Sequence, residues 1–109
     1  MEVVNVKKKY LNENGYADFE EWNKHTNHIY IGRNMNFYVK GTIGSKWKNP
    51  FSVKKYGREK SLQLYEEYIK NNEELCSQLH ELEGKVLGCW CHPDRCHGNV
   101  LKELLTGAN

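Results

Sequence analysis

The chain contains 109 residues and has a formal net charge of +2, from 16 basic and 14 acidic side chains. This length suits a single hydrophobic core, so we predict one domain over residues 1–109. The net charge is too small to predict non-specific nucleic-acid binding, and no apolar run approaches the length that spans a membrane.

The first half of the chain predicts short strands separated by loops. β-branched residues at positions 3–6 predict the first strand. Asp18 is placed to cap a short helix. Residues 28–31 alternate between polar and apolar side chains and stop at a glycine, which predicts a second strand, and the apolar residues 37–39 predict a third, edge-like strand.

The second half predicts two helices, a strand and a final helix. One apolar stripe begins at Arg58, and a second helix is predicted over about residues 73–82, ending at Gly84. Residues 86–91 predict the last strand. The order of elements indicates an α/β fold, a small Rossmann-like sheet flanked by helices. The final helix is predicted from apolar residues at helical spacing: Val100, Leu101, Leu104 and Leu105.

Residues 45–51 form an aromatic-rich loop between the predicted sheet strands and the first long helix. Trp47 and Phe51 flank Asn49 and a proline, a pair that cannot lie inside a helix. Residues 40–60 also carry seven positive side chains and one acid, which predicts a local basic face.

The cysteines are clustered at the end of the last predicted strand. Three of the four cysteines lie within eight residues, which is not the spacing of a disulfide framework. No leader segment is recognisable at Met1, so we expect reduced thiols and a cytoplasmic location without a membrane partner. Cys76 is predicted to be a small core residue of its helix.

Strand geometry predicts how the clustered side chains are arranged. Because side chains alternate along a strand, Cys89 and Cys91 share one face and Trp90 points to the other. Cys96 and His97 then lie at the amino terminus of the final helix. Free backbone N–H groups and the helix dipole favour an anion or a thiolate there.

Metal binding is the first chemistry that this cluster allows. Cys89, Cys91, Cys96 and His97 offer the sulfur and nitrogen donors that zinc prefers, with His92 as an alternative fourth ligand. However, all of these residues lie within one turn, whereas zinc ligands are usually arranged as two separated pairs. Zinc is therefore a candidate cofactor that the spacing does not favour.

Thiol chemistry and ligand binding are the other two chemistries that this cluster allows. Arg95 and His97 beside Cys96 provide surroundings that lower a thiol pKa, so Cys96 and His97 are candidate catalytic residues. Alternatively, the backbone donors of residues 96–99, including Gly98 and Asn99, hold a phosphate or carboxylate.

Several short segments, spread over nearly the whole chain, form a recognisable pattern. They are Val3-Val4-Asn5-Val6, Tyr30-Ile31-Gly32-Arg33, Ser45-x-Trp47-x-Asn49-Pro50-Phe51, Arg58 before a Tyr-rich helix, and Gly88-Cys89-Trp90-Cys91-x-Pro93-x-x-Cys96-His97-Gly98. The pattern resembles domain-of-unknown-function family 4326, which occurs in phages, giant viruses, bacteria and some eukaryotes. The resemblance implies a compact α/β domain that gathers these motifs, and it implies no particular reaction.

We therefore expect the second and last strands to lie side by side and parallel, with a cleft at their carboxyl ends that binds a nucleotide or another phosphorylated ligand. In this hypothesis Arg33 and Arg58 clamp a phosphate, while Trp47 or Phe51 stacks a base. Whether the chain is an enzyme stays open. The predicted ligand-binding residues are Arg33, Trp47, Asn49, Phe51, Arg58, Cys91, Gly98 and Asn99.

Three alternatives remain at this point. The chain is a zinc-stabilised interaction module without catalysis, or it binds single-stranded nucleic acid through the basic face of residues 40–60. In the third, Trp47 and Phe51 are core aromatics, and Arg33 and Arg58 are solvated charges.

Overall fold

Three parallel strands form the centre of the fold in the computed structural model, which describes residues 1–107. They are β1 (Glu2–Asn5), β2 (His28–Tyr30) and β3 (Val86–Cys89), in the order β1-β3-β2. Both neighbours of β3 run parallel to it, as predicted for β2. Because the strands are parallel, the chain leaves all three at the same edge of the sheet.

Helices pack on both faces of this sheet. A short 3-10 helix at Leu79–Leu82 continues the fifth α-helix, so the segment predicted over residues 73–82 is divided into two kinds of helix. Asp18 caps the second helix as predicted, because its Oδ1 accepts a hydrogen bond from the backbone N–H of Glu21 at 2.9 Å. The α-helices are α1 (Lys8–Glu13), α2 (Phe19–Asn23), α3 (Val53–Tyr56), α4 (Arg58–Lys70), α5 (Glu73–Gln78) and α6 (His97–Thr106).

The two faces of the sheet have separate cores. Helices α4, α5 and α6 bury one face, which includes Leu87 and Cys89, and the half-buried Cys91 packs against it. Helices α1 and α2 cover the other face, where Val86 and Trp90 pack. The strand predicted over residues 86–91 ends at Cys89, and the predicted alternation of side chains continues beyond β3 to Cys91. The two cysteines therefore pack on the α6 side of the sheet, and Trp90 packs on the α1–α2 side.

The prediction of a strand at residues 37–39 is wrong. This segment turns, because the backbone N–H groups of Tyr38 and Val39 both donate to the carbonyl of Met35. The turn leaves Phe37 92% exposed and Tyr38 78% exposed.

Two helices have no counterpart in the sequence prediction. Helix α1 buries only Leu11, so its sequence has no apolar stripe, and α3 is a single turn capped by Ser52 with no buried residue. Within residues 1–107, no helix is long and apolar enough to cross a membrane.

Candidate functional site

The carboxyl edge of the sheet is where the structure concentrates the residues of the sequence motifs. Residues 6–8 follow β1, the long loop 31–52 follows β2, and residues 90–96 follow β3. In open parallel sheets, ligands bind in the crevice outside this edge. The hydrogen bonds at this edge therefore determine which motif residues are available to a ligand.

Asn5 anchors the turn after β3 to the end of β1. Its side-chain amide donates to the carbonyls of Trp90 at 3.2 Å and His92 at 2.7 Å, and its Oδ1 accepts from the backbone N–H of Lys7 at 2.9 Å. Asn5 is only 7% exposed. This role of Asn5 was not predicted, although a polar residue in a buried strand indicates a side chain with hydrogen-bond partners.

A second network joins the ends of β2 and β3. The Trp90 indole donates to the Tyr30 hydroxyl at 2.8 Å, and this hydroxyl donates to the Arg33 carbonyl at 2.6 Å. A Cβ on Gly32 would lie 2.5 Å from the same hydroxyl, so any other residue here would force the Tyr30 ring to shift. The backbone of Arg33 is thus held in place, while its side chain is exposed.

Cys89 and Cys96 form a buried pair of free thiols. Their sulfurs lie 3.1 Å apart, and the residues are 1% and 2% exposed. The Cys96 thiol donates to the Cys89 sulfur and thereby lowers the pKa of Cys89, with further help from the backbone N–H groups of Cys91 and His92. The same bond, together with burial, raises the pKa of Cys96. The pair therefore favours a single ionised sulfur, on Cys89.

The amino terminus of α6 is occupied by its own residues. The Cys96 sulfur accepts the backbone N–H of Asn99, and the Asn99 side chain accepts the backbone N–H of Cys96 at 2.9 Å, forming a capping box. A Cβ on Gly98 would lie 2.9 Å from Ile31, so this glycine permits close packing of the helix. Two of the four backbone donors that were predicted to hold an anion, those of Cys96 and Asn99, thus already have partners in the chain.

His97 is held against the loop after β2. Its Nε2 lies 2.7 Å from the Ile31 carbonyl, which assigns the proton to Nε2, and its ring packs edge-on against Tyr65. Burial lowers the pKa of His97, opposed by the hydrogen bond to Ile31. The imidazole is therefore neutral and positions the start of α6, a structural role beside the catalytic one predicted.

The four predicted zinc ligands do not form a zinc site. Among residues 1–107, no group of three or more His, Cys, Asp or Glu side chains is arranged to hold a metal. Tetrahedral zinc bound by two thiolates keeps the sulfurs about 3.8 Å apart, whereas those of Cys89 and Cys96 are closer. The Nε2 of His97 is also committed to Ile31. The donors are of the kind that zinc prefers, but their arrangement does not fit a tetrahedral zinc site.

The loop over residues 45–51 belongs to the core. Trp47 is 2% exposed, and its carbonyl accepts from the Tyr65 hydroxyl at 2.6 Å, so its ring has no face open to a base. The Asn49 side chain joins Ser61 and the backbone of Phe51, both at 2.9 Å. Phe51 is half-buried against the aromatic rings of α3 and α4. These residues stabilise the loop. Trp47 is therefore not available for the stacking that was predicted on the basic face.

Arg58 faces a groove of about 650 Å³ between α4 and α6, which Arg33 does not line. Arg58 donates to the Arg95 carbonyl at 2.9 Å and lies 3.7 Å from Asp94. Arg95 pairs with Glu103 and lowers the pKa of this carboxyl. Both arginines in the groove are thus bound to protein oxygens, so the predicted phosphate clamp of Arg33 and Arg58 is not assembled.

A smaller crevice of about 300 Å³ lies on the α1–α2 side of the carboxyl edge. Each strand contributes to it through the residues that follow: Val6 after β1, Tyr38 after β2 and Trp90 after β3. Phe19 adds a third aromatic ring, and the charged residues that line the crevice are Lys8, Lys40, Asp18 and Glu20. Lys40 lies 3.9 Å from Glu20 in an exposed ion pair, which contributes little to stability.

Comparison with known proteins gives a family model that matches residues 17–107 and is described as a domain of unknown function, DUF4326. The chain belongs to the DUF4326 family. The expected resemblance is therefore confirmed, and the matched region includes β2, β3 and the thiol pair.

Two viral proteins are similar to this DUF4326 chain. An uncharacterized protein of Acanthamoeba polyphaga mimivirus is 39% identical over 85 residues, which cover 70% of this chain and 65% of that protein. An uncharacterized 12.4 kDa protein from the nrdA-td intergenic region of Enterobacteria phage T4 is 28% identical over 92 residues, covering 73% of this chain and 85% of the phage protein. No solved structure gives a significant match.

The predicted residues of this DUF4326 chain thus fall into separate places. Cys96, His97, Gly98 and Asn99 build the start of α6. All the other predicted residues except Arg33 lie in the core or line the α4–α6 groove. Sequence reasoning missed Tyr38 and Trp90 as crevice residues, although the predicted alternation already placed Trp90 opposite the cysteines. The residues that lie in the core or line the groove are Trp47, Asn49, Phe51, Cys91 and Arg58.

Proposed function

We propose that this chain binds a nucleotide, or another phosphorylated ligand with an aromatic ring, in the crevice at the carboxyl edge of the sheet. The observation that carries the proposal is the lining of the crevice, in which residues following all three strands meet with three aromatic rings and two lysines. Ligands of Rossmann-like sheets bind at this edge, and we propose that the α/β fold of this chain binds its ligand in the same way.

The lining suits the two parts of a nucleotide. Tyr38 and the half-buried Trp90 offer ring surface for a base, and stacking on an aromatic side chain is worth about 1–3 kcal/mol per base. Lys8 and Lys40 supply positive charge for a phosphate. The volume of about 300 Å³ lies at the lower end of small-molecule sites, which favours a mononucleotide over a larger ligand.

The larger groove between α4 and α6 is the less suitable site for an anion. Glu59 and Glu66 line it beside the two arginines, which already bind carbonyl and carboxylate oxygens. A phosphate entering this groove would have to displace these contacts and approach two further carboxylates. The crevice at the carboxyl edge also contains two carboxylates, Asp18 and Glu20, so net charge does not separate the two sites. The existing contacts of the groove arginines and the aromatic rings of the crevice favour the crevice.

The proposal is for binding, with no reaction assigned. Among its lining residues the crevice has no Cys, His or Ser side chain, and its two carboxylates already have partners in the chain. Asp18 accepts the backbone N–H of Glu21, and Glu20 lies 3.9 Å from Lys40. Cys96 and His97, the predicted catalytic pair, lie outside this lining, at the start of α6.

Isothermal titration calorimetry tests the proposal with nucleoside mono-, di- and triphosphates, inorganic phosphate and ribose 5-phosphate. The turn after β2 supplies a matched pair of variants, because Tyr38 lines the crevice and its exposed neighbour Phe37 does not. We expect Tyr38→Ser to weaken nucleotide binding at least about tenfold, and Phe37→Ser to leave it within about twofold.

Lysine variants test the phosphate end of the site. Lys40→Ala removes a cation from the crevice, whereas Lys48→Ala removes an exposed cation that does not line it. We expect only Lys40→Ala to weaken nucleotides more than it weakens the corresponding nucleosides. The proposal fails if no nucleotide binds, or if both members of each pair weaken binding equally.

A further inference from the structure

The buried thiols of Cys89 and Cys96 have features that packing alone does not require. Their sulfurs lie 3.1 Å apart at the junction of the central strand and the start of α6. Backbone N–H groups of residues 91 and 92 interact with the first sulfur, and those of residues 98 and 99 with the second. The donors at Cys96 also cap α6, whereas those at Cys89 lie in the turn after β3 and stabilise a thiolate on Cys89.

From this geometry we infer that Cys89 and Cys96 are a redox-active dithiol that hydrogen peroxide converts to a reversible disulfide. The pair lies on the α6 face of the sheet, and the proposed ligand crevice lies on the opposite face. The inference therefore does not depend on nucleotide binding. It assigns a modification site to the two most buried sulfurs of the chain.

The reaction balances with hydrogen peroxide as the oxidant. The Cys89 thiolate attacks one peroxide oxygen, the O–O bond breaks, and the leaving hydroxide takes up a proton to form water. Cys89 is then a sulfenic acid. The Cys96 sulfur attacks the Cys89 sulfur, the S–O bond breaks, and the hydroxyl leaves as water with the proton from Cys96. Two thiols and one peroxide give one disulfide and two waters.

Burial selects the size of the oxidant. The sulfurs are shielded by the start of α6 and by the helices on its side of the sheet, so a bulky disulfide such as oxidised glutathione cannot align with Cys89 without local opening. Hydrogen peroxide is close to water in size. We expect oxidation by peroxide to be at least about tenfold faster than oxidation by glutathione disulfide at equal concentration.

The first test uses the unmodified protein, so it does not depend on a variant that folds. The reduced chain is treated with hydrogen peroxide, denatured, alkylated and digested for mass spectrometry. We expect two of the four cysteines to escape alkylation and the peptides bearing Cys89 and Cys96 to be crosslinked, with full recovery after dithiothreitol. Cys76, whose thiol donates to the Ile69 carbonyl at 2.9 Å, and Cys91 serve as internal controls and stay alkylated.

Variants test the order of the steps. Cys96→Ser should stop at the sulfenic acid of Cys89, which dimedone traps once the protein is denatured, whereas Cys89→Ser should give no dimedone adduct at Cys96. In urea, hydrogen peroxide should no longer oxidise this pair in preference to the other two cysteines. The inference is overturned if all four thiols stay reactive, if the disulfide maps to another pair, or if glutathione disulfide acts as fast as peroxide.

Discussion

Replacing Asn5 by alanine tests how the carboxyl edge of the sheet is held together. The Asn5 side chain makes three hydrogen bonds, two to the carbonyls of Trp90 and His92 and one from the backbone N–H of Lys7. A side-chain hydrogen bond contributes about 0.5–1.5 kcal/mol net, and buried groups left without partners cost more. We therefore expect Asn5→Ala to lower the free energy of unfolding by about 2–4 kcal/mol.

Urea denaturation followed by circular dichroism measures this loss by linear extrapolation. Asn14→Ala is the matched control, because the Asn14 amide also donates to a backbone carbonyl, that of Tyr10 at 2.9 Å, but is exposed. We expect the control to change stability by about 0.5 kcal/mol or less. An Asn5→Ala loss as small as that of the control would refute the anchoring role of Asn5.

Two further predictions concern the loop after β2 and the start of α6. Gly32→Ala places a methyl group against the Tyr30 hydroxyl, and we expect a loss of about 1–3 kcal/mol in the same urea assay. Because the folded-state pKa of His97 is lowered, the unfolded chain binds more protons, so the stability contributed by His97 decreases as pH falls below about 6.5. Urea titrations at about pH 7.5 and about pH 5.5 give the decrease in the free energy of unfolding between these two pH values. This decrease should be smaller in His97→Gln than in the unmodified chain, and equal decreases would contradict the neutral, buried imidazole.

The parts of the fold that sequence predicted are those governed by short-range periodicity. Alternation along β3 separated Trp90 from its neighbouring cysteines because the period of a strand is two. Helix α4 begins at Arg58 where its apolar stripe begins, and Asp18 caps α2 through a contact three residues away. Helix α1 was missed because its burial rests on Leu11 alone.

The site was harder to predict because the decisive contacts join residues far apart in the sequence. Reactive side chains were recognised by type, but the sequence does not show whether their hydrogen-bonding groups are already used. The Arg58 guanidinium is bound to a carbonyl 37 residues away, and His97 to one 66 residues away. Conversely, Tyr38 reaches the crevice only because its loop turns instead of forming the predicted strand.

The most direct test of the proposed ligand site is an NMR titration of the ¹⁵N-labelled protein with nucleoside monophosphates. The three tryptophan indoles are internal reporters, because Trp90 lines the crevice while Trp22 and Trp47 are buried in the two cores. We predict saturable shifts of the Trp90 indole and of the amides of Tyr38 and its neighbours, with an unchanged Trp47 indole. No saturable shift up to about 1 mM ligand, or shifts confined to the α4–α6 groove, would contradict binding at the carboxyl edge.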